Sequence, residues 1–326
     1  MKKALVAKLA LAGAVGLAAA MASGTANATD CNACHTMHNS QDGSSMRFDT
    51  LDSPLPILLR GSCIYCHSGL NTAGSIPVDP PKVIATATPT YSGIGATGAA
   101  NTTLAGGDFW YVNNVDQNTG HNVDLVSAVD TNFVANTPPG GAVLGGQLAC
   151  AGTLGCHGVR TIADPLSSLS GAHHSAHNNQ ADTSLDGSTV GLSFRYLLGV
   201  LGREDSNWQF VENTTTHNIY NGLSRNAANA APSIATISGL CAQCHGAYHS
   251  TVGGADAFGI NTDNTNFGAG QWVRHPTDYS MPLTGEYLGY DTYEPEAPVG
   301  KTALGNPANQ VSTLADRVVL CVSCHR

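Results

Sequence analysis

Apolar side chains are sparse in this chain and gather in a few short runs, separated by long stretches of Gly, Ala, Ser, Thr and Asn. One run, Leu9 to Ala20, follows Lys2, Lys3 and Lys8 and precedes Ala26-Asn27-Ala28, the small-x-small pattern of a secretory cleavage site. It is too short, and too rich in Ala and Gly, to serve as a membrane anchor, and no later run is long enough to cross a bilayer. Residues 1–28 are therefore expected to be a signal peptide and residues 29–326 a single exported domain. Phe109-Trp110-Tyr111-Val112 predicts a short strand. Residues 190–202, with Phe194, Tyr196, Leu197, Leu198, Val200 and Leu201, predict a conventional helix or a strongly apolar segment. The Pro-, Ala-, Thr- and Gly-rich stretch 76–107 reads as surface loop or edge strands, and the Asn/Thr/Gly-rich stretch 260–270 as plain loop, in preference to a Ca²⁺ contact through Asp263.

Composition makes the core a problem. Aromatic residues are 6% of a 326-residue chain, so its side chains alone would make a poor core, and another source of buried apolar surface is expected. The formal charge is −9, and loss of the three leader lysines takes it to −12. Nucleic acid rewards basic surfaces and is excluded as a partner on this balance. A basic protein patch or a positively charged surface suits it.

The ten cysteines fall into five close pairs with none left over. In an exported protein the first alternative is a disulfide framework. The spacing argues otherwise. Cys31-Asn32-Ala33-Cys34-His35, Cys63-Ile64-Tyr65-Cys66-His67, Cys241-Ala242-Gln243-Cys244-His245 and Cys321-Val322-Ser323-Cys324-His325 all read Cys-x-x-Cys-His, the signature of c-type haem attachment. Two thiols one helical turn apart reach one edge of the macrocycle, and the next residue lies beneath it with its imidazole towards the iron. Zinc would not require His after every second cysteine. A thioredoxin-like site would need one pair in a βαβ context.

The remaining pair, Cys150-Ala151-Gly152-Thr153-Leu154-Gly155-Cys156-His157, has five residues between its cysteines. It reads as a haem site with a looped-out spacer, Gly152 and Gly155 letting the backbone fold back so that both sulfurs reach the ring. The alternative is a local disulfide with His157 free.

Each iron needs a second axial ligand or becomes a catalytic vacancy. Of the thirteen histidines, His35, His67, His157, His245 and His325 are proximal, which leaves eight. His38, His121, His174, His249 and His275 are the candidates for the distal positions, with His173 and His217 in reserve and His177 a surface residue. His38 and His249 sit too close behind their own motifs to reach across that ring, and would serve a neighbouring haem. The His173-His174 pair can serve two. Pro276 extends the backbone at His275, and Asp278 can orient its imidazole. Methionine competes weakly: Met37 is the one well placed, and His38 is preferred, with Met37 packing on a ring. Two-His ligation implies low potentials.

Taken together, Cys34-His35-Thr36-Met37-His38-Asn39-Ser40-Gln41, Gly120-His121-Asn122-Val123, Cys150 to Gly158, Gly171 to His174, Ser193-Phe194-Arg195-Tyr196-Leu197 and Trp272 to Asp278 resemble the multihaem c-type cytochromes of Geobacter-type metal-reducing bacteria in order and content. The resemblance covers most of the mature chain. It implies bis-His haems in a closely spaced chain and periplasmic or extracellular electron transfer, and it supports Cys150 to His157 as a haem site. Some relatives of this type polymerise into haem filaments. One departure is that the chain stops at Arg326, directly after the last motif, which suggests a truncated sequence or a last haem at an exposed terminus.

The expected fold is thus a multihaem cytochrome: mostly irregular, with short helices at the haem motifs and a few short strands, organised around a haem chain. The expected function is electron transfer through five haem c groups and their irons, delivered to other redox proteins or metal oxides. Self-association into a filament is the alternative. A pentahaem reductase is disfavoured, because such enzymes mark their open iron with Lys in place of the motif His, and every motif here ends in His.

Overall fold

A computed structural model describes residues 31–51, 53–69, 80–88, 109–132, 136–139, 141–175, 185–204, 214–215, 217–224, 233–246, 277–295, 297–302, 304 and 317–325, with a few single positions inside and beside these spans left out. The leader, most of 76–107, Asp263 and its stretch, and His177, His249 and His275 lie outside the described residues. Among the described residues no helix is long and apolar enough to cross a membrane.

Most of the described chain is loop and turn, with helices of four to six residues and strands of two or three. The helices are α1 (Cys31–Cys34), α2 (Cys63–His67), α3 (Phe109–Asn114), α4 (Pro165–Ser168) and α5 (Ile237–Ala242). Each is too short to stand by propensity alone, so caps and tertiary contacts hold it. Thr236 caps α5 by accepting the Gly239 N–H at 3.0 Å. Asp164 caps α4, with Pro165 at its first position, by accepting from the Ser167 N–H at 2.7 Å. Within α5 a Cβ at Gly239 would lie 1.8 Å from the Ser233 carbonyl oxygen, so only glycine allows the helix to pack there.

Two small ribbons stand alone: antiparallel β1 (Ser40–Gln41) with β2 (Ser44–Ser45), and parallel β3 (Ala149–Ala151) with β4 (Gly155–His157). The one larger sheet among the described residues runs β5 (Gly202–Arg203), β6 (Ile219–Asn221), β8 (Gly300–Lys301), β9 (Val318–Val319), β7 (Tyr279–Ser280), parallel only between β6 and β8. The core packs Phe194, Leu197 and Val200 against Ile237 and Leu240 of α5 and against Val318, Leu320 and Val322. It therefore lies under the last two cysteine motifs. Among described residues 31–69, the only buried side chain is that of Arg47.

Two expectations change. Residues 109–112 form the start of helix α3, not a strand. The apolar pattern was too short to choose between the two, and Val115 and Asp116 N–H groups bonding to the Tyr111 carbonyl close a helical turn. Residues 190–202 are the strongly apolar segment expected, with Val190, Phe194, Leu197 and Val200 buried, but they form two 3₁₀ turns, Val190–Leu192 and Phe194–Tyr196, and no continuous helix. Arg195 and Tyr196 take φ of +50° and +58° and Gly199 +90°, which no α-helix accommodates.

Candidate functional site

Four motifs close a single helical turn. The His35, His245 and His325 N–H groups donate to the carbonyls of Cys31, Cys241 and Cys321 at 2.8, 2.9 and 3.0 Å, and Cys63 to His67 form α2. The fifth, Cys150 to His157, folds back as a loop. Ala149 pairs with Gly155 and Ala151 with His157, so Cys150 and Cys156 lie side by side in register and share one face of the ribbon. Gly152 turns the chain at φ +82°, and a Cβ at Gly155 would meet the Ala151 backbone at 2.4 Å. None of the ten cysteines is in a disulfide.

Four of the five candidate proximal rings are aimed by the backbone. Nδ1 of His35 donates to the Ile57 carbonyl at 3.0 Å, His67 to Pro81 at 2.7 Å, His157 to Arg195 at 2.8 Å and His245 to Pro139 at 2.7 Å. A carbonyl can only accept, so Nδ1 carries the proton and Nε2 keeps its lone pair for a metal. Burial pushes the His67, His121 and His157 pKa values down, which favours the neutral, ligand-competent imidazole.

Six proximal and distal candidates face one another in three pairs. Ring centroids are 6.1 Å apart for His35 and His174, 6.3 Å for His67 and His173, and 6.0 Å for His121 and His245. A metal–nitrogen bond of about 2.0 Å puts a ring centroid about 3 Å from the metal, so two imidazoles on opposite sides of one metal have centroids about 6 Å apart. A stacked pair would be much closer, as His217 and Tyr293 are at 3.5 Å. Among the described residues no three His, Cys, Asp or Glu side chains gather as a metal cage. Each facing pair would hold one metal between two imidazoles, as the iron of a bis-His haem requires.

His217 is buried, with Nδ1 donating to the Asn218 carbonyl at 2.8 Å and its face on Tyr293. His38 is exposed and bonds locally, its N–H to the Thr36 hydroxyl at 3.1 Å. His325 is exposed. Thiols of successive motifs adjoin: Cys63 lies close enough to Cys150 for each to shift the other's titration, and Cys241 does so with Cys321. Cys34 adds to the burial that raises the Cys66 thiol, and Cys244 does the same for Cys156. The motifs are therefore neighbours in the order of the chain. Buried guanidinium nitrogens without a hydrogen-bond partner, Nε of Arg160 and Arg317 and Nε and Nη2 of Arg195, are suited to haem propionates.

Sequence reasoning missed the orienting carbonyls of Ile57, Pro81, Pro139 and Arg195. A carbonyl is common to every residue, so no side-chain pattern signals it. His173, held in reserve by the sequence, is the residue that faces His67.

The chain is 28% identical to the C-type cytochrome OmcS of Geobacter sulfurreducens over 371 aligned positions, covering 100% of this chain and 83% of that protein. No family model matches the chain, and no solved structure does. The likeness supports a c-type cytochrome of the Geobacter type with haem c as its cofactor, and an electron carrier in preference to an enzyme.

Proposed function

We propose that the chain is an exported pentahaem electron carrier in which most or all sites have two histidine ligands. The observation that carries this reading is the set of three facing imidazole pairs at 6.0–6.3 Å, at least one ring of each pair fixed through Nδ1 by a backbone carbonyl. Haem c, when bound, supplies reversible one-electron chemistry. His35 and His174 hold the first site, His67 and His173 the second, His245 and His121 the fourth. The 3₁₀ turn Ala172–His174 thus clamps two neighbouring sites from a single short element. His157 and His325 are the proximal ligands of the third and fifth sites, which draw second ligands from His38, His217, His249 and His275. His217 lies two residues before β6, whose sheet runs through β9 into the fifth motif, and is assigned to that site.

The adjoining thiols support a linear path from the first site to the fifth. The charge of −12 after leader removal favours basic redox partners or positively charged mineral surfaces, in the periplasm or outside the cell. Intact mass and absorption spectra test the reading. Five added haems and a wholly low-spin ferric spectrum are expected. Four haems would reduce Cys150 and Cys156 to a disulfide. His173→Ala and His174→Ala should each turn one haem of five high-spin and CO-binding, and a change at neither would refute the clamp.

The exposed His38 beside the first motif favours a second reading, a ligand donated to another copy of the chain in a filament. Filaments in micrographs of wild-type protein that vanish in His38→Ala would establish it. A wild-type monomer at high concentration would exclude it.

A further inference from the structure

The turn that aims His157 is itself held by a buried acid. Arg195 sits at φ +50°, a left-handed conformation that is unfavourable for a non-glycine residue and persists only when neighbours enforce it. Its carbonyl takes the His157 Nδ1–H at 2.8 Å. Its N–H donates to Oε1 of Glu204 at 2.7 Å. Only φ and ψ of Arg195 lie between those two groups, and the Gly158 N–H on the Tyr196 carbonyl ties the far side of the turn at 2.8 Å, so anchoring the Arg195 N–H narrows the direction its carbonyl can take. Glu204 is 4% exposed and follows β5 directly.

We propose that Glu204 is a positioning and proton-accepting residue for the third site: it holds the Arg195 carbonyl on His157, and it takes up a proton when that site takes up an electron. The proposal rests on the reading of Cys150 to His157 as a haem site. One electron arriving from a one-electron donor is matched by one proton from water, which converts the Glu204 carboxylate to the acid. On oxidation both leave, so the buried region gains no net charge in either direction. An ionised carboxylate disfavours arrival of negative charge nearby, and a buried carboxyl without a full counter-ion is poised to accept the proton instead.

The surroundings agree. Burial raises Glu204 from 4.5 to about 7, and the opposing pull of the Arg195 guanidinium and the Arg195 N–H is the weaker effect. Arg195 is the charged group that acts on it from the 194–196 turn. On β5 its neighbour is Arg203, and the adjacent strand β6 brings one titratable side chain, Tyr220. His157 lies one hydrogen bond beyond Arg195. Among the described residues the equivalent turn at the first site has no such acid: Ile57 and Leu58 aim His35 and bond the Thr36 N–H, but no carboxylate bonds either residue. The effect is therefore expected at the third site and not at the first.

Spectroelectrochemical titration of purified holoprotein from pH 6 to 8 tests this, with wild type, Glu204→Gln and Glu204→Asp. Wild type should show one of its five transitions rising in potential as pH falls through 7. Glu204→Gln should keep five haems and a low-spin spectrum and lose that dependence, and Glu204→Asp should keep it with a displaced midpoint. Five haems with an unchanged pH response in Glu204→Gln would overturn the role of Glu204 alone. Four haems in wild type, with Cys150 and Cys156 unmodified, would instead overturn the third-site reading beneath it. Should the variants not fold, redox-difference infrared spectra of wild type at pH 7 decide the matter. A protonated-carboxyl band growing on reduction supports the proposal, and no carboxyl band refutes it.

Discussion

The turns at residues 56–60 and 194–198 place a carbonyl on a proximal histidine in the same way, yet in opposite surroundings. In each, two consecutive non-glycine residues have positive φ, Ile57 and Leu58 at +52° and +54°, Arg195 and Tyr196 at +50° and +58°. In each, the first carbonyl takes Nδ1 of the histidine and the second takes the following N–H, Thr36 to Leu58 at 2.9 Å and Gly158 to Tyr196 at 2.8 Å. The turn at 194–198 is anchored in the core, with Phe194 1% and Leu197 6% exposed. Ile57 is 60% exposed, and around it Arg60 supplies the ties, donating to the Met46 and Asn32 carbonyls and lying over Phe48. One local device thus serves two regions, and the surroundings determine how much of it the protein itself stabilises. At the third site the core holds the turn. At the first, polar ties do so.

The largest test of that contrast is Phe194→Ala, expected to cost about 3–5 kcal/mol in denaturant unfolding, against about 0.5 kcal/mol or less for Ile57→Ala. Equal costs would erase the distinction. Gly158→Ala comes next. Gly158 has φ +78°, and a Cβ there would meet the Ser168 carbonyl oxygen at 2.8 Å. A loss of about 2–3 kcal/mol is expected by the same measurement, although its counterpart Thr36 carries a side chain freely.

Smaller still is the pH slope from Glu204. The unfolded chain releases this proton near 4.5 and the folded chain near 7, so the folded state holds more protons between them. Stability then falls as pH rises through that window, by about 1.4 kcal/mol per unit at most, and is level above it. Melts of Glu204→Gln at pH 5 and 7 should lack the slope. The smallest effect is a gain: Ile57→Gly should relieve the left-handed strain and stabilise by about 1 kcal/mol or less, because little apolar contact is lost. A loss there would mean that Ile57 packs on the macrocycle.

Much of the site was legible in the chain. The five cysteine pairs and the histidines that follow them are contiguous, so their chemistry needs no fold to be recognised. The fold-back of Cys150 to Cys156 was legible too, because Gly152 and Gly155 mark where a backbone can reverse. The helix at Phe109–Asn114 was not, since four aromatic and apolar residues fit either period.

The sequence by itself therefore set out the candidate attachment motifs, their count and the candidate proximal histidines, because each is written in adjacent residues. Only the tertiary structure decided that His174 faces His35, that His173 faces His67, and that His121 faces His245. It also decided that a buried Glu204 stands behind one histidine and none behind another. Those relations join residues from 9 to more than 100 positions apart, and packing alone selects which of them meet.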